Sequence, residues 1–264
     1  MDASPSPGLR GDYGVADADG VVAQRWEAYT PAEHALWRTL HARQAALAPA
    51  YACAEFNAAL RGLDAGGAIP RFDAVSERLE RATGWRIVAV PGLLPDETFF
   101  RHLASRRMPV TVWLRRPEET DYIVEPDVFH DFFGHVPLLF DRDYADHLRE
   151  YGKGGLMALR LGALPLLARL YWYTIEFGLV RGPDGLRAYG AGLLSSGGEL
   201  RHCIDSPEPV REPFELERMM RTPYAIDRYQ PRYFVIDSFA HLLSATAPDF
   251  SPVYARLAGL PDLD

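Results

Sequence analysis

The chain carries the stretch PDVFHDFFGHVP at residues 126–137, which sets two histidines, His130 and His135, among aromatic and acidic residues. Because these histidines are five positions apart, their side chains would point about 140° away from each other on a straight α-helix. Gly134 permits backbone angles that other residues avoid, and Pro137 disfavours helical geometry at the residue before it. We therefore expect the helix that carries His130 to end or distort around His135, in a bend that can turn the second imidazole toward the first.

A lone acid, Glu176, follows in the apolar stretch LYWYTIEFGL at residues 170–179. This stretch is too long and too apolar for a surface loop, so we expect a core helix with a buried carboxylate. An ionised carboxylate is costly to remove from water unless a cation neutralises it. The partner of Glu176 is therefore either an arginine, such as Arg169 or Arg181, or a metal ion that the two histidines also bind.

Two histidines and one carboxylate on one side of a metal ion leave further coordination positions open. This ligand set occurs in non-haem Fe(II) oxygenases and also in zinc hydrolases, so the residues alone do not decide which metal is bound. The remaining histidines are expected to have ordinary core or surface roles: His34, His41, His102, His147, His202 and His241.

Three segments together resemble the aromatic amino acid hydroxylases, most of all the single-domain bacterial members: PDVFHDFFGHVPLL (126–139), YWYTIEFGL (171–179) and GAGLLSSGGEL (190–200). Their order and spacing match over most of the chain, from about residue 25 to about residue 245. The resemblance implies the catalytic-domain fold of that family and a monooxygenase that converts L-phenylalanine to L-tyrosine with O2 and a reduced pterin. It also implies that His130, His135 and Glu176 bind a non-haem Fe(II).

The resemblance also implies a pterin site. Tetrahydrobiopterin or a related reduced pterin is expected beside the iron, with its ring stacked on Phe99 and its polar edge near the backbone of Gly92 and Leu94. By residue type alone, a core aromatic is the more common role for Phe99.

Four residues are expected around the substrate. Arg115 suits the amino acid carboxylate, since its planar guanidinium can donate two parallel hydrogen bonds. The resemblance places Arg115 there, held by Asp127, with Ser195 assisting and Trp172 lining the ring pocket. An exposed arginine beside Arg116 is the alternative role for Arg115.

The surroundings of the metal carry further expectations. Asp131 and Glu125 are candidates to orient the imidazoles through hydrogen bonds. Where animal members of the family have Thr-Pro, Ile123 and Val124 precede Glu125 here, so pocket details beside this segment do not transfer. A group of aromatic side chains is expected to exclude water from the site: Phe129, Phe132, Phe133, Trp172 and Phe177.

Composition bounds the kind of protein. The chain has 264 residues, of which 48% are hydrophobic and 12% aromatic, enough to bury a large core. Since no repeat or low-complexity linker divides it, we expect one catalytic domain over residues 25–264 and a flexible tail over residues 1–24, which are rich in glycine, proline and aspartate. Cys53 and Cys203 lack paired spacing and are expected to be free thiols.

Charge and sequence features also limit the kinds of partner that the protein can bind. A net charge of −8 opposes binding to nucleic acid or to anionic membranes. With no secretory signal and no apolar stretch of bilayer length, we expect a cytoplasmic protein. The GxGxxG fingerprint of NAD and FAD sites is absent. The chain has no room for the regulatory domain and oligomerisation helix of animal members, so we expect a monomer.

Local patterns predict a mainly α-helical fold with minor short β-strands. A capping box at Thr30 with Pro31 starts a helix that Pro49 should interrupt, and three glycines, Gly152, Gly154 and Gly155, should mark helix breaks. Further helices are predicted over residues 51–63, 71–82, 96–106, 163–180, 238–244 and 252–260, and from 127 and 142 onward. Short strands are predicted over residues 85–90, 110–114, 186–189 and 233–236.

Three other functions compete with phenylalanine hydroxylation. Hydroxylation of tryptophan or tyrosine is the nearest, because pockets for aromatic rings discriminate through small volume differences. A zinc hydrolase could use the same ligands, although HExxH is absent. A metal-binding or scaffold protein without turnover is the third.

Overall fold

The structure is a computed structural model that describes residues 10–120, 123, 125–226, 228–247 and 249–263. Helices dominate it and its strands are short, so the expected mainly α fold is confirmed. None of the helices among the described residues is long and apolar enough to cross a membrane. The α-helices are α1 (Pro31–Tyr51), α2 (Ala54–Leu63), α3 (Phe72–Thr83), α4 (Asp96–Ala104), α5 (Arg142–Leu161), α6 (Leu164–Tyr171), α7 (Ala191–Leu194), α8 (Gly197–Asp205), α9 (Leu216–Arg221), α10 (Phe239–Thr246) and α11 (Ser251–Leu257).

Helix α1 begins where the sequence predicts. The Thr30 side chain accepts a hydrogen bond from the backbone of Glu33, whose carboxylate accepts one from the backbone of Thr30. The prediction that Pro49 interrupts the helix is wrong, because α1 continues past it. Pro49 removes one backbone donor close to the end of the helix, and the chain becomes extended at Ala52.

The glycines of α5 serve packing. The prediction of helix breaks at Gly152, Gly154 and Gly155 is wrong, since α5 runs through all three. A Cβ at Gly155 would collide with the ring of Phe100, and one at Gly152 with the backbone of Ala104. Two of these glycines therefore let α4 and α5 approach more closely than any side chain would permit.

Two small sheets occur among the described residues. The first pairs β1 (Arg86–Val90) in parallel with β2 (Arg107–Thr111), joined by α4 as the crossover. The second has the order β4-β3-β6-β5, where β3 (Leu179–Gly182) and β4 (Gly185–Ala188) form an antiparallel hairpin and β6 (Arg232–Ile236) runs parallel to β3 and to β5 (Val210–Pro213). Strands β3 and β5 are absent from the sequence-based prediction.

The helix predicted over residues 163–180 divides into α6, a π-helical turn at Trp172–Glu176, and β3. The expectation that it remains helical to Val180 is wrong. At Gly178 a Cβ would collide with the ring of Tyr189 and the carbonyl of Thr174, so the chain turns there in a space that only glycine fits.

Residues 10–24 lie against the body of the protein. The backbone N–H of Val22 donates to the carbonyl of Ala89 in β1 at 2.9 Å, and the ring of His102 contacts the carbonyl of Asp19 at 2.8 Å. The first nine residues lie outside the described part of the chain. The division into a tail over 1–24 and one catalytic domain over 25–264 stays a prediction.

Candidate metal centre

A π-helical turn places the two histidines on one face. The turn spans His130–His135, and its backbone hydrogen bonds join residues five apart rather than four. Residues at this spacing therefore follow each other along one side, and the ring centroids of His130 and His135 are 5.3 Å apart. The expected distortion around His135 is confirmed, and it takes the form of a widened turn followed by a 3₁₀ turn at Pro137–Phe140.

A second π-helical turn presents the carboxylate. Within Trp172–Glu176, the N–H of Phe177 donates to the carbonyl of Trp172 at 2.8 Å, which closes the wider ring. Glu176 Oε2 lies 3.6 Å from His130 Nε2, and Glu176 Oε1 lies 3.3 Å from His135 Nε2. Bonds from a metal to such ligands are about 2.0–2.2 Å long, which separates neighbouring ligand atoms by about 3–3.5 Å. The three side chains therefore have the spacing to hold one metal ion.

The arginine alternative for Glu176 fails. Arg169 instead makes a two-pronged pair with Asp262, at 2.6 and 2.9 Å. Arg181 lies 3.4 Å from Asp237 on the surface. Glu176 therefore has imidazoles, and neither of these guanidiniums, as its charged neighbours.

The electrostatics of the three groups are coupled. Burial alone would raise the pKa of Glu176, but the two imidazoles outweigh it and lower the pKa to about 2. The hydroxyl of Tyr171, which faces the same carboxylate, acts in the same direction. Burial alone would lower the pKa of His135, but the carboxylates of Glu176 and Asp131 outweigh it and raise the pKa. The two shifts have the same physical cause, since each favours an ionised Glu176 carboxylate beside a protonated His135 imidazole.

Ser195 fixes the tautomer of His130. The Ser195 hydroxyl lies 2.9 Å from His130 Nδ1 and donates its only proton to the carbonyl of Ala191 at 2.8 Å. His130 Nδ1 must then be the donor to Ser195, and in the neutral ring this leaves the lone pair of Nε2 pointing toward Glu176. Ser195, expected beside the substrate carboxylate, thus contacts a histidine in this structure.

Asp127 joins Arg115 to the turn that carries His130. Nε and Nη2 of Arg115 donate to the two carboxylate oxygens of Asp127 at 2.9 and 2.8 Å, and the backbone N–H of His130 donates to the same carboxylate at 3.0 Å. Arg115 is 5% exposed and Asp127 is fully buried, so the alternative of an exposed arginine is wrong. Arg115 Nη1 is the nitrogen that Asp127 leaves unengaged.

The two candidates for orienting the imidazoles differ. Asp131 has a carboxylate oxygen within 4.8 Å of ligand atoms of both histidines and accepts a hydrogen bond from the backbone of Thr111 at 2.8 Å. Glu125 instead accepts from the backbone of Arg10 at 3.2 Å. Of the pair at the departure from the animal sequences, Ile123 is half-buried and Val124 lies outside the described residues.

Aromatic side chains enclose the first turn as expected. The ring of Phe129 lies 5.0 Å from that of Phe133, and Trp37 packs edge-on to Phe129 at 5.4 Å and to Phe132 at 5.9 Å. Four of the five expected residues are buried, and Trp172 is half-buried. Trp172 is therefore the most accessible of these five aromatic residues.

Of the residues expected at the pterin, Phe99 is connected to the metal centre through Tyr171. The ring of Phe99 is half-buried and packs edge-on to Tyr171 at 6.1 Å, and Tyr171 faces Glu176. Gly92 has a φ of 156°, and a Cβ there would lie 2.6 Å from both the Tyr13 hydroxyl and a carboxylate oxygen of Glu125. Only glycine fits this backbone.

Sequence reasoning missed two aromatic residues at the site. Tyr171 stands inside the quoted motif YWYTIEFGL, so its position next to Trp172 was an available signal. Tyr224, whose ring stacks on Trp172 at 4.3 Å, comes from a segment with no recognised pattern, and its contact could be found only in three dimensions.

Comparisons with known proteins agree with this geometry. A family model described as biopterin-dependent aromatic amino acid hydroxylase matches residues 24–250. The chain is 56% identical to a phenylalanine-4-hydroxylase of Ralstonia nicotianae, over 92% of this chain and 78% of the relative. It is 51% identical to a phenylalanine-4-hydroxylase of Caulobacter vibrioides, over 98% of this chain and 86% of the relative. The iron- and phenylalanine-bound crystal structure of phenylalanine hydroxylase from Chromobacterium violaceum superposes with a TM-score of 0.89 at 54% identity, covering 94% of this chain and 91% of that one. The chain belongs to the biopterin-dependent aromatic amino acid hydroxylases.

Proposed function

We propose that this protein is a phenylalanine 4-monooxygenase, which hydroxylates L-phenylalanine to L-tyrosine with O2 and a reduced pterin at an Fe(II) site. The observation that carries the proposal is the convergence of two imidazoles and one carboxylate within 3.6 Å on two π-helical turns. The names of relatives at 51–56% identity over nearly the whole chain support the substrate.

His130, His135 and Glu176 are the proposed iron ligands. The donor set fits Fe(II), because two neutral nitrogens and one carboxylate on a single side leave positions open for other molecules. When bound, Fe(II) with the reduced pterin and O2 supplies the oxygen atom that enters the substrate ring. Ser195 supports the ligand set by holding the proton of His130 on Nδ1.

The substrate carboxylate is proposed to bind Arg115. Asp127 engages Nε and Nη2 of this guanidinium and keeps its plane fixed, so that Nη1 remains for the ligand. Because Asp127 also binds the backbone of His130, the carboxylate anchor and the metal ligand share one rigid support. Such a support holds the aromatic ring of the bound substrate at a constant distance from the metal.

The ring pocket and the pterin site complete the proposal. Trp172 lines the slot for the substrate ring. Phe99 stacks on the pterin, while the backbone of Gly92 and Leu94 meets its polar edge. The buried rings around His130 exclude water, which limits oxygen chemistry that is not coupled to substrate.

The protein is proposed to be a cytoplasmic monomer with one catalytic domain over residues 25–264. A net charge of −8 supports the absence of nucleic acid among its partners. Light scattering on the full chain tests the monomer, and a stable tetramer would reject it.

One set of assays tests both the metal that supports turnover and the amino acid that is preferred as substrate. Metal-free protein is loaded anaerobically with Fe(II) or Zn(II) and then given O2, tetrahydrobiopterin and phenylalanine, tryptophan or tyrosine. We expect product only with Fe(II), and the highest kcat/KM with phenylalanine. A preference for tryptophan would replace the substrate, and turnover with zinc alone would reject the monooxygenase.

A further inference from the structure

Trp172 packs against two rings beside the metal centre. Its indole stacks on Tyr224 with centroids 4.3 Å apart and an angle of 14°, and it meets Phe177 at 4.6 Å and 35°. Trp172 begins the second π-helical turn, and Phe177 directly follows Glu176 at the end of that turn. Tyr224 comes from the distant segment that follows α9, so it joins the site through the tertiary fold alone.

Stacking is the main restraint on the Trp172 indole. Its Nε1 is buried and has no hydrogen-bond partner among the described residues. The other four tryptophans of the chain all donate Nε1–H to a backbone carbonyl: Trp26 to Ile69, Trp37 to Ala65, Trp85 to Ala145 and Trp113 to Pro91. A hydrogen bond fixes the plane of each of those indoles, whereas the plane of Trp172 depends on the rings that touch it.

The segment that carries Tyr224 is anchored at both ends. The Tyr173 hydroxyl donates to the carbonyl of Pro223 at 2.7 Å, and Gln230 Nε2 donates to the carbonyl of Ala225 at 2.7 Å. The buried carboxylate of Glu199 in turn accepts the backbone N–H of Gln230 at 2.9 Å. The backbone of Tyr224 is thus held in place although its side chain is 38% exposed. Because its backbone is fixed, the partly exposed ring of Tyr224 can hold the indole of Trp172 in one position.

We infer that Tyr224 is a positioning residue, which sets the plane of Trp172 by stacking and thereby the width of the slot that selects the substrate ring. The inference rests on the proposed function and extends it to ring selection. Without the phenol ring, the indole can rotate into the freed space and the slot widens. Phenylalanine then makes fewer contacts with the widened slot, whereas the larger side chain of tryptophan still fills it better.

The test compares four variants of the iron-loaded full chain in steady-state assays. Tyr224→Ala and Tyr224→Leu remove the ring, Tyr224→Phe keeps it, and Tyr229→Ala removes an exposed ring of the same segment that packs on His202 instead. We expect both ring deletions to raise KM for phenylalanine about three- to tenfold with little change in kcat, and to reduce the preference for phenylalanine over tryptophan by a similar factor. Tyr224→Phe and Tyr229→Ala should match the wild type.

A second readout does not depend on turnover. In protein labelled with 15N-tryptophan, the indole N–H signal of Trp172 is the one lost in Trp172→Phe. We expect this signal alone to shift strongly in Tyr224→Ala, since the ring current of the phenol is removed, and to return in Tyr224→Phe.

The outcomes separate the inference from the function that it extends. If the wild type forms tyrosine but the ring deletions leave KM and ring preference unchanged, the inference is overturned and the function stands. A kcat loss shared equally by Tyr224→Phe and Tyr224→Ala also overturns it. Failure of the wild type to form tyrosine overturns the proposed function itself.

Discussion

Ser195 determines which nitrogen of His130 can face a metal ion. Its single proton goes to Ala191, so it can only accept from the imidazole. An imidazole whose other nitrogen donates a hydrogen bond is held in the correct tautomer and orientation for a metal. The neighbouring Ser196 has a different task, since it caps α8 through the backbone of Glu199.

Removal of the Ser195 hydroxyl should weaken iron binding without unfolding the protein. We expect Ser195→Ala to lower the affinity for Fe(II) by about 10- to 100-fold, because His130 loses the acceptor that fixes its tautomer. Competition with a chelator under anaerobic conditions measures this. Ser196→Ala is the matched control and should bind iron like the wild type, and equal losses in both variants would show that the effect is not specific to His130.

The Arg115 and Asp127 pair should contribute to stability as well as to binding. Asp127→Asn leaves a buried guanidinium without its countercharge, a change that typically costs about 3–5 kcal/mol. Asp146→Asn is the control, because Asp146 forms a half-exposed pair with Arg106, and such pairs contribute about 1 kcal/mol or less. Denaturant unfolding of both variants compares the two costs. Similar values would mean that burial of Asp127 is not what makes its pair important.

The metal-free protein should show a pH window of stability. The pKa of His135 is raised above its ordinary 6.5, and that of Glu176 is lowered from 4.5 to about 2. The contribution of His135 is complete below pH 6.5 and disappears as the pH rises through its raised folded-state pKa. The contribution of Glu176 is complete above pH 4.5 and disappears as the pH falls through about 2.

The expected result is that metal-free wild type exceeds His135→Gln in unfolding free energy most between about pH 4.5 and 6.5. Unfolding by denaturant at pH 5.5, 7 and 8.5 measures the difference. A difference that grows toward pH 8.5 would contradict the assigned coupling.

At the scale of elements, two π-helical turns position the three proposed ligands in a way that a straight α-helix could not. The first turn packs on α7, where a Cβ at Gly134 would lie 2.9 Å from both the Cβ and the carbonyl oxygen of Ala191. The same carbonyl accepts the proton of Ser195. Close packing of the turn and α7 thus maintains the hydrogen bond that serves His130.

Gly134→Ala should therefore separate the turn from α7. We expect a loss of about 1–3 kcal/mol in stability from overpacking, together with weaker iron binding. Gly154→Ala makes the same chemical change inside α5, where nothing lies within 4 Å, and should stabilise the protein by about 0.5–1 kcal/mol. Unfolding and chelator competition on both variants test the contrast, and a harmless Gly134→Ala would contradict the tight fit.

Elements with local signals could be predicted from the sequence. The capping box at Thr30 and the left-handed Gly84 at the end of α3 act within a few residues of where they stand. Gly152 and Gly155 could not be interpreted in this way, because their role depends on α4, which passes over α5 only in the folded protein. Strand β3 pairs with its neighbour β4 in a hairpin and also with β6, some fifty residues later, and no local pattern reports the second pairing.

At the scale of the whole molecule, the candidate site is assembled from distant parts of the chain. The histidines and Glu176 were predictable, because their residue types carry the chemistry and each π-helical turn that presents them coincides with one sequence motif. Two contacts that complete the site were not predictable: that of Ser195 with His130 and that of Tyr224 with Trp172. These contacts arise from packing between elements, so they become visible only when the fold brings α6, α7 and the segment after α9 together.

Tyrosine formation by the iron-loaded protein tests the central claim most directly. Wild type, His130→Ala, Glu176→Gln and the control His202→Ala are reconstituted anaerobically with Fe(II), then given phenylalanine, O2 and tetrahydrobiopterin, and tyrosine is measured by chromatography. We predict tyrosine from the wild type and the control, and a loss of more than about 100-fold in the two ligand variants, since loss of a ligand should exceed the effect of losing its supporting hydrogen bond. No tyrosine from the iron-loaded wild type, or undiminished activity in His130→Ala, would contradict the account.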